Sequence, residues 1–195
     1  MNELTQIAAA NQQRAREVIR DSGLEAAWRS VGAEPNLVGS LRTGLLMTHH
    51  DIDFHIYSSP LRLADSFAAM ARLAENSRIR SITFNNLLDA PDQCLEWHAW
   101  YADADDQLWQ IDMIHMPRGS AYDGYFERVA DRIAAVLTDR TRETILRLKY
   151  ETPEAEKIMG IEYYQAVLRD GVGTYTEFEA WRAAHPVTGI LEWMP

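Results

Sequence analysis

The segment between residues 37 and 57 constrains the fold more than any other part of the chain. It begins with a short apolar stretch that ends in Gly39-Ser40, continues through residues 41–50, and resumes as an alternating run that opens with Asp51-Ile52-Asp53. Alternation of polar and apolar residues predicts a half-buried strand. Because side chains two residues apart share one face of a strand, both carboxylates are expected to project the same way.

Two parallel carboxylates at close range repel each other unless a cation lies between them. Mg²⁺ meets that need, because it binds one or two carboxylates together with substrate phosphates, and Mn²⁺ is the expected substitute. Gly39 and Ser40 would let the backbone approach a phosphate and donate hydrogen bonds to it. The segment therefore predicts phosphoryl or nucleotidyl chemistry. The alternative is an edge strand with Asp51 and Asp53 in water, preceded by an ordinary turn serine.

The residues Val38-Gly39-Ser40, the ten-residue spacer and Asp51-Ile52-Asp53 resemble the signature of the nucleotidyltransferase superfamily. The run 39–44 is also similar to the Gly-Ser-x-Ala-Arg-Gly loop of small members such as the antibiotic-modifying enzymes, with the arginine one place early. The resemblance covers about residues 30–116. It implies an α/β (α+β) fold, in which a mixed sheet is flanked by helices and followed by a helical region.

The resemblance also implies roles for individual residues. The family adds a third carboxylate from a neighbouring strand, and Asp112 in the run 108–116 is the candidate. Asp51, Asp53 and Asp112 are then the expected catalytic residues and metal ligands. Asp112 completes a second metal site or accepts the proton of an acceptor hydroxyl. A solvent-facing hairpin acid is the alternative for Asp112.

The expected nucleotide-binding residues are Gly39, Ser40 and two residues with cationic side chains, Arg42 and Lys149. Arg42 is the candidate for steadying a phosphate, because a guanidinium matches phosphate oxygens; a solvated loop arginine is an equal alternative. In some antibiotic-modifying relatives a lysine of the helical region reaches the triphosphate, and Lys149 is the suggested counterpart. His49, His50 and His55 crowd the acids without an assigned role.

The order of periodic segments predicts a catalytic region over residues 1–119 and a helical region over 120–195. Strands are expected at 36–39, 51–57, 78–85, 95–102 and 108–116, the last two as a hairpin. Helices are expected at 3–20, 24–30 and 60–76, after residue 123, and at 155–169 and 176–184. The stripe expected to be buried on the third helix consists of Leu61, Ala64, Phe67, Ala68, Ala71 and Leu73.

Composition narrows the partners and the location. The chain has 195 residues, enough for one domain with a proper core, and a net charge of −10. Phosphate contacts require clustered Lys and Arg, so broad nucleic-acid binding is not expected. The single cysteine excludes an intramolecular disulfide, and no apolar run approaches the ~20 residues of a membrane helix. We therefore expect a cytoplasmic protein that does not enter membranes.

The sequence as a whole predicts a magnesium-dependent nucleotidyltransferase. The expected donor is a nucleoside triphosphate, with ATP first, and the expected acceptor is a hydroxyl of a small molecule, aminoglycoside-like or similar, with a protein side chain second. One alternative is a nucleotide-binding or regulatory domain that has lost turnover. Another is a metal-dependent phosphohydrolase with a His-Asp pair, suggested by His50-Asp51 but disfavoured because such pairs lie on helices, whereas residues 51–57 alternate like a strand.

Overall fold

The computed structural model of the chain describes residues 3–187 and 189–195, and residues 1, 2 and 188 lie outside that description. The five strands are β1 (Glu34–Leu37), β2 (Asp51–Ser58), β3 (Ile79–Leu87), β4 (Cys94–Ala102) and β5 (Leu108–Pro117). The helices are α1 (Glu3–Ser22), α2 (Leu24–Arg29), α3 (Gly39–Thr43), α4 (Leu63–Ala74), α5 (Tyr125–Val136), α6 (Asp139–Glu151), α7 (Gly160–Tyr164) and α8 (Tyr175–Ala184). A π-helical turn, Gln165–Arg169, continues α7.

The strands form one mixed sheet in the order β1-β2-β5-β4-β3. The predicted hairpin of β4 and β5 is confirmed as an antiparallel pair. Strands β2 and β5 are parallel neighbours, and α4, β3 and β4 make the connection between them. Parallel pairing places residues of β2 and β5 side by side in the same direction. The predicted mixed sheet with flanking helices is therefore confirmed.

The two faces of the sheet have different environments. On one face Ile52, Phe54 and Ile56 of β2 join a core with α2 and α4 that includes the fully buried Trp28. On the other side of the molecule the C-terminal helices form a second core, which also contains Leu45 from the connection between α3 and β2. The regions 1–119 and 120–195 thus share packing, and their separation into domains remains a prediction.

The predicted buried stripe of the third helix is wrong except at Leu73. Helix α4 buries Ser66, Ala69, Met70 and Leu73, while 46% of the surface of Phe67 is exposed. Ser66 is tolerated inside because its hydroxyl accepts a hydrogen bond of 2.8 Å from the indole of Trp97. Satisfying a buried polar group removes its desolvation penalty. The prediction chose the buried positions by hydrophobicity alone, and it therefore placed the buried face on the wrong side of the helix.

Three predicted boundaries also differ. Gly39 begins a short helix, α3, instead of ending a strand; residues 155–159 are not helical, so the next helix begins at Gly160. Helix α8 begins at Tyr175, one residue earlier than expected, and the hydroxyl of Thr174, its N-cap residue, accepts the backbone N–H of Glu177. The described helices contain no segment with the length and apolar content of a membrane span.

Candidate active site

The three predicted acids meet where β2 lies beside β5. Asp51 and Asp53 alternate with the fully buried Ile52, so both carboxylates face away from the core. Asp53 is the register partner of Asp112 across the parallel pair, and neighbouring strands lie about 4.8 Å apart. All three acids line one cleft of about 640 Å³. The structure thus brings together the three acids that the resemblance to the superfamily implied, and their roles remain a prediction.

Gly39 leaves room for the carboxylate of Asp53. Its φ is +64°, and a Cβ at this position would lie 1.9 Å from Oδ2 of Asp53. Such a contact is impossible, so the carboxylate of Asp53 occupies space that only glycine leaves open. The backbone N–H of Ser40 donates to the same carboxylate, and the N–H of Val38 donates to the carbonyl of Asp53 at 2.9 Å. The backbone of residues 38–40 therefore seats Asp53.

Burial and like charges make the ionised acids unfavourable. Burial raises the pKa of Asp53 to about 8, and the neighbouring charges of Asp51 and Asp112 act in the same direction. Burial also raises the pKa of Asp51, while the positive charge of Lys149 opposes that rise. Desolvation and a like charge both favour the neutral acid. A cation in the cleft would relieve both effects.

The donor set fits Mg²⁺, although it is not a closed cage. Within residues 3–187 and 189–195, no three His, Cys, Asp or Glu side chains already surround a common point. Mg²⁺ does not need such a set, because it keeps several waters and takes only one or two carboxylates plus substrate phosphates. Asp51 and Asp53 are oxygen donors on one strand face in the cleft. These two residues could hold one ion, and Asp112 in the same cleft could contribute to a second metal site.

Ser40 and Lys149 form the cationic side of the cleft. Lys149 comes from α6, is only 7% exposed, and its Nζ donates to Oγ of Ser40 at 2.7 Å. The same Nζ lies 3.4 Å from the hydroxyl of Tyr164 and 5.3 Å from the centre of its ring. Both of these oxygens are neutral hydroxyls, so a phosphate, which is a stronger acceptor, could replace them at Nζ. The structure thus brings the suggested Lys149 to Ser40, and it adds Tyr164.

Arg42 is not brought to the other predicted residues. Its guanidinium pairs with both carboxylate oxygens of Asp131 on α5 at 2.8 Å and donates to the carbonyl of Leu37 at 2.9 Å. Arg42 is absent from the described residues that line the cleft. The side chain thus ties α3 to α5, a placement that favours a role in the fold over one in phosphate binding.

The three histidines beside the acids all line the cleft. His50 packs against Trp109 with ring centres 4.6 Å apart, and His55 against Phe126 at 5.0 Å. Burial lowers the pKa of His55 to about 4, so its imidazole is neutral at pH 7. Burial lowers the pKa of His50 as well, so the ring-packed His50 and His55 shape the cleft without adding cationic charge to it at pH 7.

An apolar wall of the cleft comes from the helical C-terminal region. It is formed by α5, by the segment before α7 together with the first turn of that helix, and by the C-terminal tail, through Phe126, Val129, Ala130, Ile133, Ile158, Met159, Ile161, Ile190 and Leu191. The apolar spacing of α5 was visible in the sequence, but it is the same for a helix that lines a cleft and for one that packs only against a core.

A scan against protein-family models gives no match, and a search of curated proteins gives none either. Solved structures are similar. A cytoplasmic RNA terminal U-transferase superposes with a TM-score of 0.55 at 14% identity, over 85% of this chain and 53% of that chain. A structure of Cid1, with RNA terminal uridylyl transferase activity, gives 0.55 at 14% identity, over 80% of this chain and 46% of that one. The structure of Cid1 poly(U) polymerase with Mg and 3'-dATP gives a TM-score of 0.54 at 14% identity, over 86% of this chain and 54% of that chain.

The chain spans about half the length of these solved structures. At such low identity the similarity establishes the fold, while activity and acceptor belong to each protein separately. The identification made from the short motifs is therefore confirmed at the level of architecture: the chain has the nucleotidyltransferase fold.

Proposed function

We propose that the protein is an enzyme that transfers a nucleoside monophosphate from a nucleoside triphosphate to a hydroxyl of a small molecule, with Mg²⁺ or Mn²⁺. The observation that carries this proposal is the convergence of Asp51, Asp53 and Asp112 with Ser40 and Lys149 in one cleft. Solved structures of the same fold bind Mg together with GTP or 3'-dATP, which supports a triphosphate donor. ATP is the first donor to test.

The triphosphate would bind at the cationic side of the cleft. Nζ of Lys149 and Oγ of Ser40 already hydrogen-bond each other, and phosphate oxygens are stronger acceptors that would take both donors. A bound Mg²⁺, held by Asp51 and Asp53, would neutralise charge on the phosphates. Positioning and charge stabilisation are the main needs of phosphoryl transfer.

The acceptor hydroxyl would react beside Asp112. The oxygen of the acceptor hydroxyl forms a bond to the α-phosphorus of the triphosphate. The bond from that phosphorus to the oxygen that bridges it to the β-phosphorus breaks, and pyrophosphate leaves. The hydroxyl proton passes to the carboxylate of Asp112, whose side chain is 23% exposed at the cleft. A base must lie within hydrogen-bond reach of the proton that it removes, and a partly exposed carboxylate on the cleft meets that requirement.

Charge and lining support a small acceptor over a polyanion. The net charge is −10, and among the described residues that line the cleft the only lysines or arginines are Lys149 and Lys157. Nucleic-acid binding depends on neutralising many phosphates. The solved structures of the same fold are named for action on RNA, so RNA must be included as a competing acceptor.

The test supplies each α-labelled nucleoside triphosphate, Mg²⁺ and, separately, a metabolite extract, a protein mixture or RNA. Pyrophosphate release with label in the metabolite fraction supports the proposal, and Asp53→Asn serves as the inactive control. Label in RNA or protein would change the acceptor class. Release of phosphate would indicate a phosphohydrolase, and tight triphosphate binding without product a non-catalytic binding domain.

A further inference from the structure

Asp112 is the end of a row of contacting polar side chains that crosses three strands. Asn85 on the edge strand β3 donates to Oε2 of Glu96 at 2.9 Å. The other oxygen of Glu96 lies 3.3 Å from Nε2 of His98, and Nδ1 of His98 lies 2.5 Å from Oδ1 of Asp112. The order follows the strand register, in which Asn85 faces Glu96 and His98 faces Asp112.

A second donor reaches the same carboxylate oxygen. Nε2 of Gln110 donates to Oδ1 of Asp112 at 2.8 Å. An ionised carboxylate only accepts, so Nδ1 of His98 is the donor in its contact with Oδ1. In the described part of the chain, Oδ2 of Asp112 takes no hydrogen bond. Two donors on one oxygen fix the rotation of the carboxylate and leave the other oxygen available.

We propose that His98 is a positioning residue of the transferase centre, which holds Asp112 with Oδ2 free for the acceptor proton or the metal. The inference rests on the proposed function, in which Asp112 acts at the reacting oxygen. The terminal torsion of an aspartate is broad unless hydrogen bonds restrict it. Gly39 and Ser40 enclose Asp53 with backbone, whereas the hydrogen bonds described for the Asp112 carboxylate come from the side chains of His98 and Gln110, so its orientation depends on neighbouring side chains.

The decisive comparison is His98→Leu against His98→Asn. Leucine removes the donor, whereas the asparagine amide places an N–H near the position of Nδ1. Loss of such a supporting hydrogen bond lowers activity about 10- to 100-fold, and we expect this loss in kcat for His98→Leu. The KM for the triphosphate should change less than about twofold, because Ser40 and Lys149 bind the phosphates.

Asparagine should restore part of the lost kcat, and Thr83→Ala is the matched control. Thr83 is the exposed register partner of His98 on β3 and lies on the side away from Asp112. Its variant should match wild type in both parameters. Circular dichroism melting of every variant confirms that the compared proteins are folded.

Mn²⁺ binding provides a readout that does not require turnover. Electron paramagnetic resonance with Mn²⁺ and a non-hydrolysable triphosphate analogue should show weaker ion binding, about tenfold, in His98→Leu than in His98→Asn. If wild type transfers no nucleotide but this order of Mn²⁺ affinities holds, the transfer reaction is refuted while the positioning role stands. If His98→Leu equals wild type in both kcat and Mn²⁺ affinity, or if asparagine restores neither, the positioning role is refuted.

Discussion

Asp53 and Asp112 are register partners on neighbouring strands, yet the molecule holds them in opposite ways. Asp53 is seated by backbone: the missing Cβ of Gly39 gives it room, and the N–H of Ser40 donates to it. Asp112 is held by side chains, those of His98 and Gln110. The backbone support comes from residues 38–40, before β2 in the chain, whereas the side-chain support comes from His98 on the paired strand β4 and from Gln110 on β5 itself.

This difference has a mechanical consequence. A carboxylate that is enclosed by backbone has little freedom and suits the constant task of holding an ion. A partly exposed carboxylate whose free oxygen is set by two donors can exchange a proton with an acceptor and with water. The four predictions below test whether the two acids differ in this way.

The largest effect is expected from removing either charge. Asp53→Asn and Asp112→Asn preserve shape but remove a carboxylate that is worth several kcal/mol in the transition state, so kcat should fall at least about 10³-fold in each. Steady-state pyrophosphate release measures the loss, with Asp89→Asn in the exposed β3–β4 loop as the control. Near wild-type transfer by Asp112→Asn would leave Asp53 as the only essential member of the pair.

The next effect tests the backbone support of Asp53. In Gly39→Ala the new methyl would lie 1.9 Å from Oδ2 of Asp53, so the carboxylate must move, and transfer should fall about 100-fold because a misplacement of about 1 Å has that effect. Gly119→Ala is the matched control, since Gly119 has φ +81° but nothing within 4 Å of a Cβ. Both variants carry the strain of a left-handed backbone, about 1 kcal/mol.

The difference between the two glycine variants isolates the contact with Asp53. Only Gly39→Ala should lose transfer, while both should melt a few degrees below wild type. Equal transfer in the two variants would mean that Asp53 tolerates displacement and that its backbone support is dispensable.

The same contrast explains what the sequence could and could not predict. The alternation at residues 51–57 and the Gly39-Ser40 pair are local patterns; they predicted β2 and, through the resemblance that they carry, the fold class correctly, while the roles of Asp51 and Asp53 stay a prediction. His98 and Glu96 could not be identified, because only the register of β4 against β5 brings them to Asp112. The rotation of α4 was also missed, since the partner of Ser66, Trp97, lies on β4, far along the chain.

The two predicted phosphate-binding cations, Lys149 and Arg42, also differ in how far local sequence determines their position. Lys149 was suggested by resemblance, and α6 does carry it to Ser40. Arg42 lies within the motif itself, yet it turns to Asp131 on α5. A short motif specifies backbone geometry, but the direction of a long side chain depends on which distant charge it meets.

A third, moderate effect concerns stability without metal. The pKa of Asp53 is about 8 in the folded protein, above its ordinary value of 3.8, so the folded state binds more protons than the unfolded state between these values. The free energy of unfolding contributed by Asp53 should therefore fall as pH rises from about 4 to about 8. One pKa unit corresponds to about 1.4 kcal/mol, which shifts the melting temperature by a few degrees.

Melting of wild type and Asp53→Asn from pH 4 to pH 9 measures this contribution. The pH dependence should be shallower in Asp53→Asn, and millimolar Mg²⁺ at pH 8 should stabilise wild type more than the variant, because the ion binds the folded state. If wild type and Asp53→Asn show the same pH dependence of the melting temperature and the same increase with Mg²⁺, then ionisation of Asp53 does not destabilise the folded protein and Asp53 does not contribute to an ion site.

The smallest effect is expected at Arg42, whose pairing with Asp131 ties the helix of Gly39 and Ser40 to α5. The side chain of Asp131 is 61% exposed, so the pair contributes no more than about 1 kcal/mol to stability. Arg42→Ala and Asp131→Ala should therefore melt slightly and equally below wild type, and both should keep the KM for the triphosphate within about twofold. The two variants together separate structure from binding, because they break the same pair while only one removes a cation. A rise in KM for Arg42→Ala but not for Asp131→Ala would mean that the guanidinium binds the phosphates. Arg42 would then leave Asp131 when a nucleotide binds, and the helix that supports Asp53 would lose this connection to α5.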